Sequence, residues 1–152
     1  MEHRFKIPAP LRAEHDELHT RLAAAIREPG AVGEAAREVA RLLHPHFERE
    51  EEFALPPLAL LAPLARGEAV PALADVVPMI RRLKEELPAM IQEHQAIVNA
   101  LDRLRSAARN AGNPEVESFA RALVQHAQTE ETVLYPAAIV VGELAEMRNS
   151  SR

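Results

Sequence analysis

The sequence predicts an all-α protein, an up-down-up-down four-helix bundle with an internal two-fold repeat. Its 152 residues include five Gly, one Tyr, four Phe and no Trp, while Ala and Leu are abundant, which favours packed helices. Apolar residues recur at spacings of three and four along four segments bounded by Pro or Gly. These breaks come too often for the sustained heptads of a coiled coil. We expect one domain over 1–152, with the bundle core at about 10–136 and a short C-terminal helix or tail at 137–152.

The first half of the chain predicts two helices. The first begins near Pro10, which suits a first helical turn, and ends at Pro29-Gly30. The second covers Glu34 to Phe53. Pro45 lies inside it and removes one backbone hydrogen bond, so we expect a kink there.

A longer connection and a third helix follow. Residues 54–77 are rich in Pro and Ala, which indicates a short helix over 57–65 and then an irregular crossing. Pro78 opens the third helix, which ends before Asn110-Ala111-Gly112. Pro88 is expected to kink it.

The fourth helix has a clear start signal. Asn113 is a favourable N-cap, Pro114 suits the first helical position, and Glu115 places an acid in the first turn. We expect the helix to run to about Leu134, where Pro136 bends or ends it.

One motif occurs once in each half, on the second and fourth predicted helices. His46 is followed by Glu50, and His126 by Glu130, with a second Glu and then a Pro at matching positions. Residues four apart share a helix face, and both pairs fall in an apolar stripe. The stripes are Val39, Leu43, His46, Glu50, Phe53 and Phe119, Leu123, His126, Glu130, Leu134. His and Glu thus stand where a bundle helix ordinarily carries Leu.

The first and third helices each add one core histidine. Glu14-His15 and Glu93-His94 are both followed by apolar residues at identical offsets. A lone core histidine is most often a satisfied buried residue, but four histidines and two glutamates at repeated positions favour a metal site. An imidazole or carboxylate in a core is costly unless it is paired, and a cation offsets that cost. The six residues amount to ligands for two metals.

The donor types leave the metal open, because imidazole–carboxylate sites accept iron, manganese and zinc. The Glu-x-x-His motif of ferritin-like bundles is absent from the sequence, as is the His-Glu-x-x-His motif of zincins.

These residues resemble those of the hemerythrin-like proteins, also called HHE cation-binding domains. The resemblance covers residues 10–136 and includes the Glu-Glu and Leu-Tyr-Pro that follow His126. It implies that four histidines cap two non-haem irons joined by an oxo or hydroxo bridge, and that two glutamates bridge the irons. The residues to which it assigns these roles are His15, His46, Glu50, His94, His126 and Glu130. The first motif departs from the family pattern, since Ala54-Leu55-Pro56 replaces Leu-Phe-Pro.

Several other polar residues remain candidates. His19 lies one turn after His15 and is either a fifth histidine ligand, a hydrogen-bond donor near the metals or a surface residue. Glu51 and Glu131 point about 140° away from their histidines and are expected to be solvated or to contact the ligands from outside. Tyr135 is either a core residue or a hydrogen-bond donor near the metals. His44 and His3 are expected to be peripheral.

The ligand count suggests a function. Two six-coordinate irons offer about twelve positions, of which histidines, bridging carboxylates and an oxygen bridge fill about ten. An outside ligand can take the remainder. We therefore expect a di-iron protein that binds or responds to dioxygen, nitric oxide or peroxide, or handles iron. The alternatives are an enzyme that reduces nitric oxide or peroxide, and a helical interaction module with a structural metal. The sequence favours a protein without enzyme activity over an enzyme.

Composition excludes or disfavours several other kinds of site, partner and location. Without Cys there are no disulfides or thiolate sites, and the net charge of −5 without a basic stripe argues against nucleic acid. The N-terminus lacks an apolar signal region, and the apolar run over 53–65 is too short and Pro-rich to span a bilayer, so we expect no membrane partner and a cytoplasmic location. Residues 59–64 are expected to form a packing or dimer patch rather than a ligand tunnel. A separate signalling or iron-accepting protein is the other expected partner.

Overall fold

The computed structural model describes residues 5–150, which are almost entirely helical. The α-helices are α1 (Ala9–Ile26), α2 (Gly30–Arg49), α3 (Leu61–Ala65), α4 (Val77–Asn110), α5 (Pro114–Thr129) and α6 (Tyr135–Ser150). A π-helical turn follows α2 (Glu50–Ala54), and a second joins α5 to α6 (Glu130–Leu134). Short 3-10 turns at Pro56–Leu60 and Leu73–Val76 flank α3.

Four of the helices, α1, α2, α4 and α5, form a closed ring. Helix α1 packs against α2, α2 against α4, α4 against α5, and α5 against α1. Consecutive helices of the ring are joined by short turns, except for the crossing between α2 and α4. The predicted four-helix bundle is therefore confirmed.

The start of α5 follows its sequence signals closely. The Asn113 side chain accepts a hydrogen bond from the backbone N–H of Val116 at 3.2 Å, and Pro114 takes the first helical position. Gly112 adopts φ +65° in the turn before it, a conformation that costs glycine little. Helix α2 begins at Gly30, four residues before the expected start at Glu34.

The two π-helical turns begin at the glutamates of the repeated motif. In the first, the backbone N–H of Leu55 bonds the carbonyl of Glu50 at 2.9 Å, five residues back. A π-turn inserts one extra residue and shifts the buried face. In the second copy Tyr135 is therefore buried, and the prediction that Leu134 continues the buried stripe is wrong because Leu134 is only half-buried.

The chain continues as a helix beyond Pro136, which stands in the first turn of α6, where the absence of an N–H is tolerated. The described part of 137–152 thus belongs to a long helix packed on α4 and on the crossing segment. Gly142 makes this contact close, since a Cβ atom there would lie 2.8 Å from Cβ of Ile80.

Two apolar clusters fill the bundle, one at each end. The first, between α1, α2, α4 and α5, includes Leu22, Leu43, Leu101 and Phe119. The second is formed by the π-turn after α2, the crossing, the start of α4 and α6. The six predicted metal ligands are buried and belong to neither cluster. Within residues 5–150, no helix is long and apolar enough to cross a membrane.

Candidate metal centre

Each helix of the ring contributes one histidine to the interior. His15 comes from α1, His46 from α2, His94 from α4 and His126 from α5, and all four are at most 6% exposed. Glu50 and Glu130, the first residues of the two π-turns, are 0% and 1% exposed. The structure therefore brings the six predicted ligands into one buried layer.

These side chains form two groups that share one carboxylate. His15, His126 and Glu130 offer ligand atoms that lie within 4.8 Å of one another, and so do His46, His94 and Glu130. Oε1 of Glu130 is 3.2 Å from Nε2 of His94, and Oε2 is 3.2 Å from Nε2 of His126. Glu130 therefore lies where a carboxylate could bridge two cations.

Glu50 is placed differently from Glu130. Its Oε1 is 3.0 Å from Nε2 of His46, and its Oε2 accepts a hydrogen bond from the Tyr135 hydroxyl at 3.0 Å. That hydroxyl also lies 3.2 Å from Nε2 of His94. Tyr135 thus combines the two roles considered for it, a buried core residue and a hydrogen-bond donor beside the site.

The protonation state of His15 and His94 favours metal binding. Burial lowers the pKa of His15, an effect to which the neighbouring His126 adds and which Glu50 opposes. Burial and the nearby His46 likewise lower the pKa of His94. Both imidazoles are therefore neutral near pH 7, the form that donates a lone pair to a metal.

Unpartnered polar atoms show that the site fits a cation. Nε2 of His15, Nε2 of His126, Oε1 of Glu50 and Oε2 of Glu130 are buried without a hydrogen bond. Buried polar atoms are normally satisfied, and leaving carboxylate oxygens unpaired is expensive. A cation held among these atoms would satisfy them, and their nitrogen and oxygen donors suit iron, manganese or zinc.

A glutamate faces the outer ring nitrogen of each of the four predicted ligand histidines. Glu51 and Glu131, at which the sequence pointed, face His15 and His94. Sequence reasoning missed Glu93, which faces His46, and Glu14, which faces His126. The signal was present as the repeated Glu-His dipeptide on α1 and α4, but an adjacent residue lies about 100° around a helix, so only the partner helix reveals its role.

His19 lies outside both ligand groups. It is half-buried on α1, with its ring stacked on that of His44 at 5.4 Å and edge-on to Phe47 at 5.1 Å. His44 is exposed, as expected, and His3 lies outside the described residues. The ring of Phe47 stacks on His15 at 4.1 Å and forms an apolar wall on that side of the site.

A comparison with protein families decides the classification. The family model of the hemerythrin HHE cation binding domain matches residues 7–138. The chain belongs to the hemerythrin HHE cation-binding family. No curated protein and no solved structure matches it significantly. Family membership implies that the chain binds a cation, and the buried His/Glu groups fit such a site.

Proposed function

We propose that the chain holds two irons with an oxo or hydroxo bridge and binds or responds to a small molecule such as dioxygen, nitric oxide or peroxide, or handles iron. The position of Glu130 supports this most strongly, because its two oxygens each lie 3.2 Å from a histidine of a different group. A carboxylate in that position favours a pair of cations over a single one. His15 and His126 would hold one ion, His46 and His94 the other, with Glu50 beside His46.

The number of donors supports an open site. Four histidines and two glutamates supply fewer donor atoms than two six-coordinate ions accept, so some positions would stay open to an outside ligand. His19 packs on His44 and Phe47 and so does not fill a further position. Bound iron would supply Lewis acidity and redox capacity at those open positions.

The surroundings suit a small ligand. Phe47 and Tyr135 flank the ligand groups on two sides, so little room is left for a bulky substrate. A surface cavity of about 320 Å³ reaches His126 between α1 and α5 and is also lined by Glu14 and Glu17. It offers ions or small molecules an approach to one ligand group. A protein that senses or hands on iron through this site would act with a separate partner protein.

One observation favours the enzymatic alternative. The Tyr135 hydroxyl is buried, donates to Glu50 and lies 3.2 Å from His94. This hydroxyl could orient nitric oxide or peroxide beside the site by a hydrogen bond.

The proposal is tested by metal analysis and ligand titration of protein purified from iron-replete cells. We expect about two irons per chain, near-ultraviolet oxo-to-iron absorption, and spectral changes with azide in air and with nitric oxide after anaerobic reduction. Protein reconstituted with zinc is the control and should be colourless. A chain that takes up zinc or manganese but no iron, or an iron-loaded chain whose spectrum responds to neither ligand, would overturn the proposal.

A further inference from the structure

The outer ring nitrogens of the ligand histidines are all directed at glutamates from neighbouring helices. Nδ1 of His94 lies 2.8 Å from Oε1 of Glu131, and Nδ1 of His15 lies 3.5 Å from Oε1 of Glu51. Nδ1 of His46 lies 3.4 Å from Oε2 of Glu93, and Nδ1 of His126 is hydrogen-bonded to Glu14. We call Glu14, Glu51, Glu93 and Glu131 the outer glutamates.

The outer glutamates cross every interface of the helix ring. Glu14 reaches from α1 to α5, and Glu93 from α4 to α2. Glu51 reaches from the π-turn after α2 to α1, and Glu131 from the π-turn after α5 to α4. Because an imidazole that donates Nδ1–H to a carboxylate presents its Nε2 lone pair elsewhere, this arrangement aims every Nε2 at the ligand groups.

Two of the outer glutamates contact an arginine, and the other two form ion pairs only with their histidines among the described residues. Arg12 donates to Glu51 at 3.0 Å, and Arg49 forms an ion pair with Glu93. In the second half of the repeat the corresponding residues are uncharged, Ile91 three before His94 and Thr129 three after His126. Across residues 5–150, Glu131 and Glu14 form ion pairs only with their histidines.

The lengths of the contacts between the outer glutamates and their histidines follow the same division. Within the described residues, Glu131 and Glu14 pair with no arginine, and both are hydrogen-bonded to their histidines, Glu131 at 2.8 Å. Of the two held by arginine, Glu51 forms a longer hydrogen bond to its histidine, at 3.5 Å, and Glu93 makes a 3.4 Å ion-pair contact without a hydrogen bond. A carboxylate already engaged by a guanidinium is a poorer acceptor for a second donor, because part of its charge is neutralised.

We infer that Glu14 and Glu131 are the dominant positioning residues of the metal centre, whereas Arg12 and Arg49 hold Glu51 and Glu93 in a weaker role. This inference rests on the proposed metal site. Each ligand group then contains one histidine of each kind, His126 with His15 and His94 with His46. A strongly accepting carboxylate raises the electron donation of its imidazole to the metal, so each ion receives one stronger and one weaker nitrogen ligand.

Glutamine substitutions test this division in the full chain. Gln keeps the shape and an acceptor oxygen but loses the charge, so Glu14→Gln and Glu131→Gln should preserve the fold. We expect each to weaken Co²⁺ binding by about 10–100-fold, measured by competition with a chelator, and to shift the visible ligand-field bands of Co²⁺. Glu51→Gln and Glu93→Gln should weaken it by less than about fivefold. Glu34→Gln, exposed and remote on α2, is the matched control and should leave both readings unchanged.

A double-variant cycle provides the sharper test. In the Arg12→Gln background Glu51 loses its guanidinium partner. Glu51→Gln should then weaken Co²⁺ binding about as much as Glu131→Gln does, by about tenfold or more. Equal losses for all four single Gln variants, or folded Glu14→Gln and Glu131→Gln proteins with wild-type affinity and spectrum, would overturn the inference while leaving the metal site intact. A wild-type chain that binds no Co²⁺ and no iron would overturn the proposed function as well.

Discussion

Tyr135 donates its hydroxyl hydrogen to Oε2 of Glu50 at 3.0 Å, across the layer that separates the two apolar clusters. The residues belong to opposite halves of the repeat, and the position equivalent to Tyr135 in the first half is Leu55. The ligands repeat but this contact does not, so it makes the two sides of the centre chemically different.

Ionisation of Tyr135 provides the first prediction. Burial and the charge of Glu50 raise the pKa of Tyr135 far above its usual value. Tyr135 is the only tyrosine of the chain, so absorbance at the tyrosinate wavelength reports it alone. In metal-free protein the phenol should stay protonated until the fold is lost. Because the unfolded state releases this proton near pH 10 and the folded state retains it, stability should fall as the pH rises through about 10.

The matched variant is Tyr135→Phe, which keeps the ring but removes the donor to Glu50. It should destabilise metal-free protein by about 1–3 kcal/mol in urea unfolding, because a buried carboxylate loses its hydrogen bond. Reversible tyrosinate formation near pH 10 in folded protein would show that the phenol is not buried against Glu50.

The second prediction distinguishes the histidines that bind the metal from those that do not. His126→Ala should lose metal, because it removes a donor from one ligand group, whereas His44→Ala should not. His19→Ala should leave the iron spectrum and the azide titration unchanged, since His19 stacks on His44 instead of joining either group. His15→Ala, one turn earlier on the same helix, is the matched control and should change both. An altered azide titration in His19→Ala would assign it to the coordination sphere.

The placement of the ligands could be predicted because a set of His and Glu residues at apolar positions of helices has few explanations other than a metal site. The same pattern also occurs in both halves of the chain. Tyr135 could not be placed as surely, since a π-turn adds one residue to the spacing and nothing in helix propensity marks it. The packing of α6 was equally hidden, because the stretch Ala137 to Val141 is apolar on all sides and shows no amphipathic period. The burial of Tyr135 and the buried face of α6 depend on which helix packs against them, which the local sequence does not determine.

The docking of α6 gives the third prediction. Gly142 leaves no room for a side chain, because a Cβ would lie 2.8 Å from Cβ of Ile80 on α4. Gly142→Val should therefore force α6 away from α4 and lower the free energy of unfolding by about 1–3 kcal/mol in urea denaturation. Val140→Ala, at an exposed position of the same helix, should change it little. Wild-type stability in Gly142→Val would mean that α6 does not pack closely on α4.

The last prediction concerns removal of the metal. Without a cation, Glu50 and Glu130 are buried among four histidines, and one oxygen of each lacks a hydrogen bond. Burial already lowers the pKa of His15 and His94, so these rings resist the protonation that would neutralise the carboxylates. Stripping the metal should lower the melting temperature by more than about ten degrees. Most helical circular dichroism should persist at room temperature, and amide exchange should accelerate around 44–51 and 124–131.

The pH dependence of the stripped protein follows from the same histidines. Their folded pKa lies below the unfolded value, so the unfolded state binds more protons below about pH 6.5, and the metal-free chain should lose stability as the pH falls through that value. Glu50→Gln combined with Glu130→Gln removes the buried charges, so it should raise the metal-free melting temperature while abolishing metal binding. Glu48→Gln, exposed on α2, should do neither. If the stripped chain melted at the temperature of the loaded one, the two carboxylates could not be buried together as the structure has them.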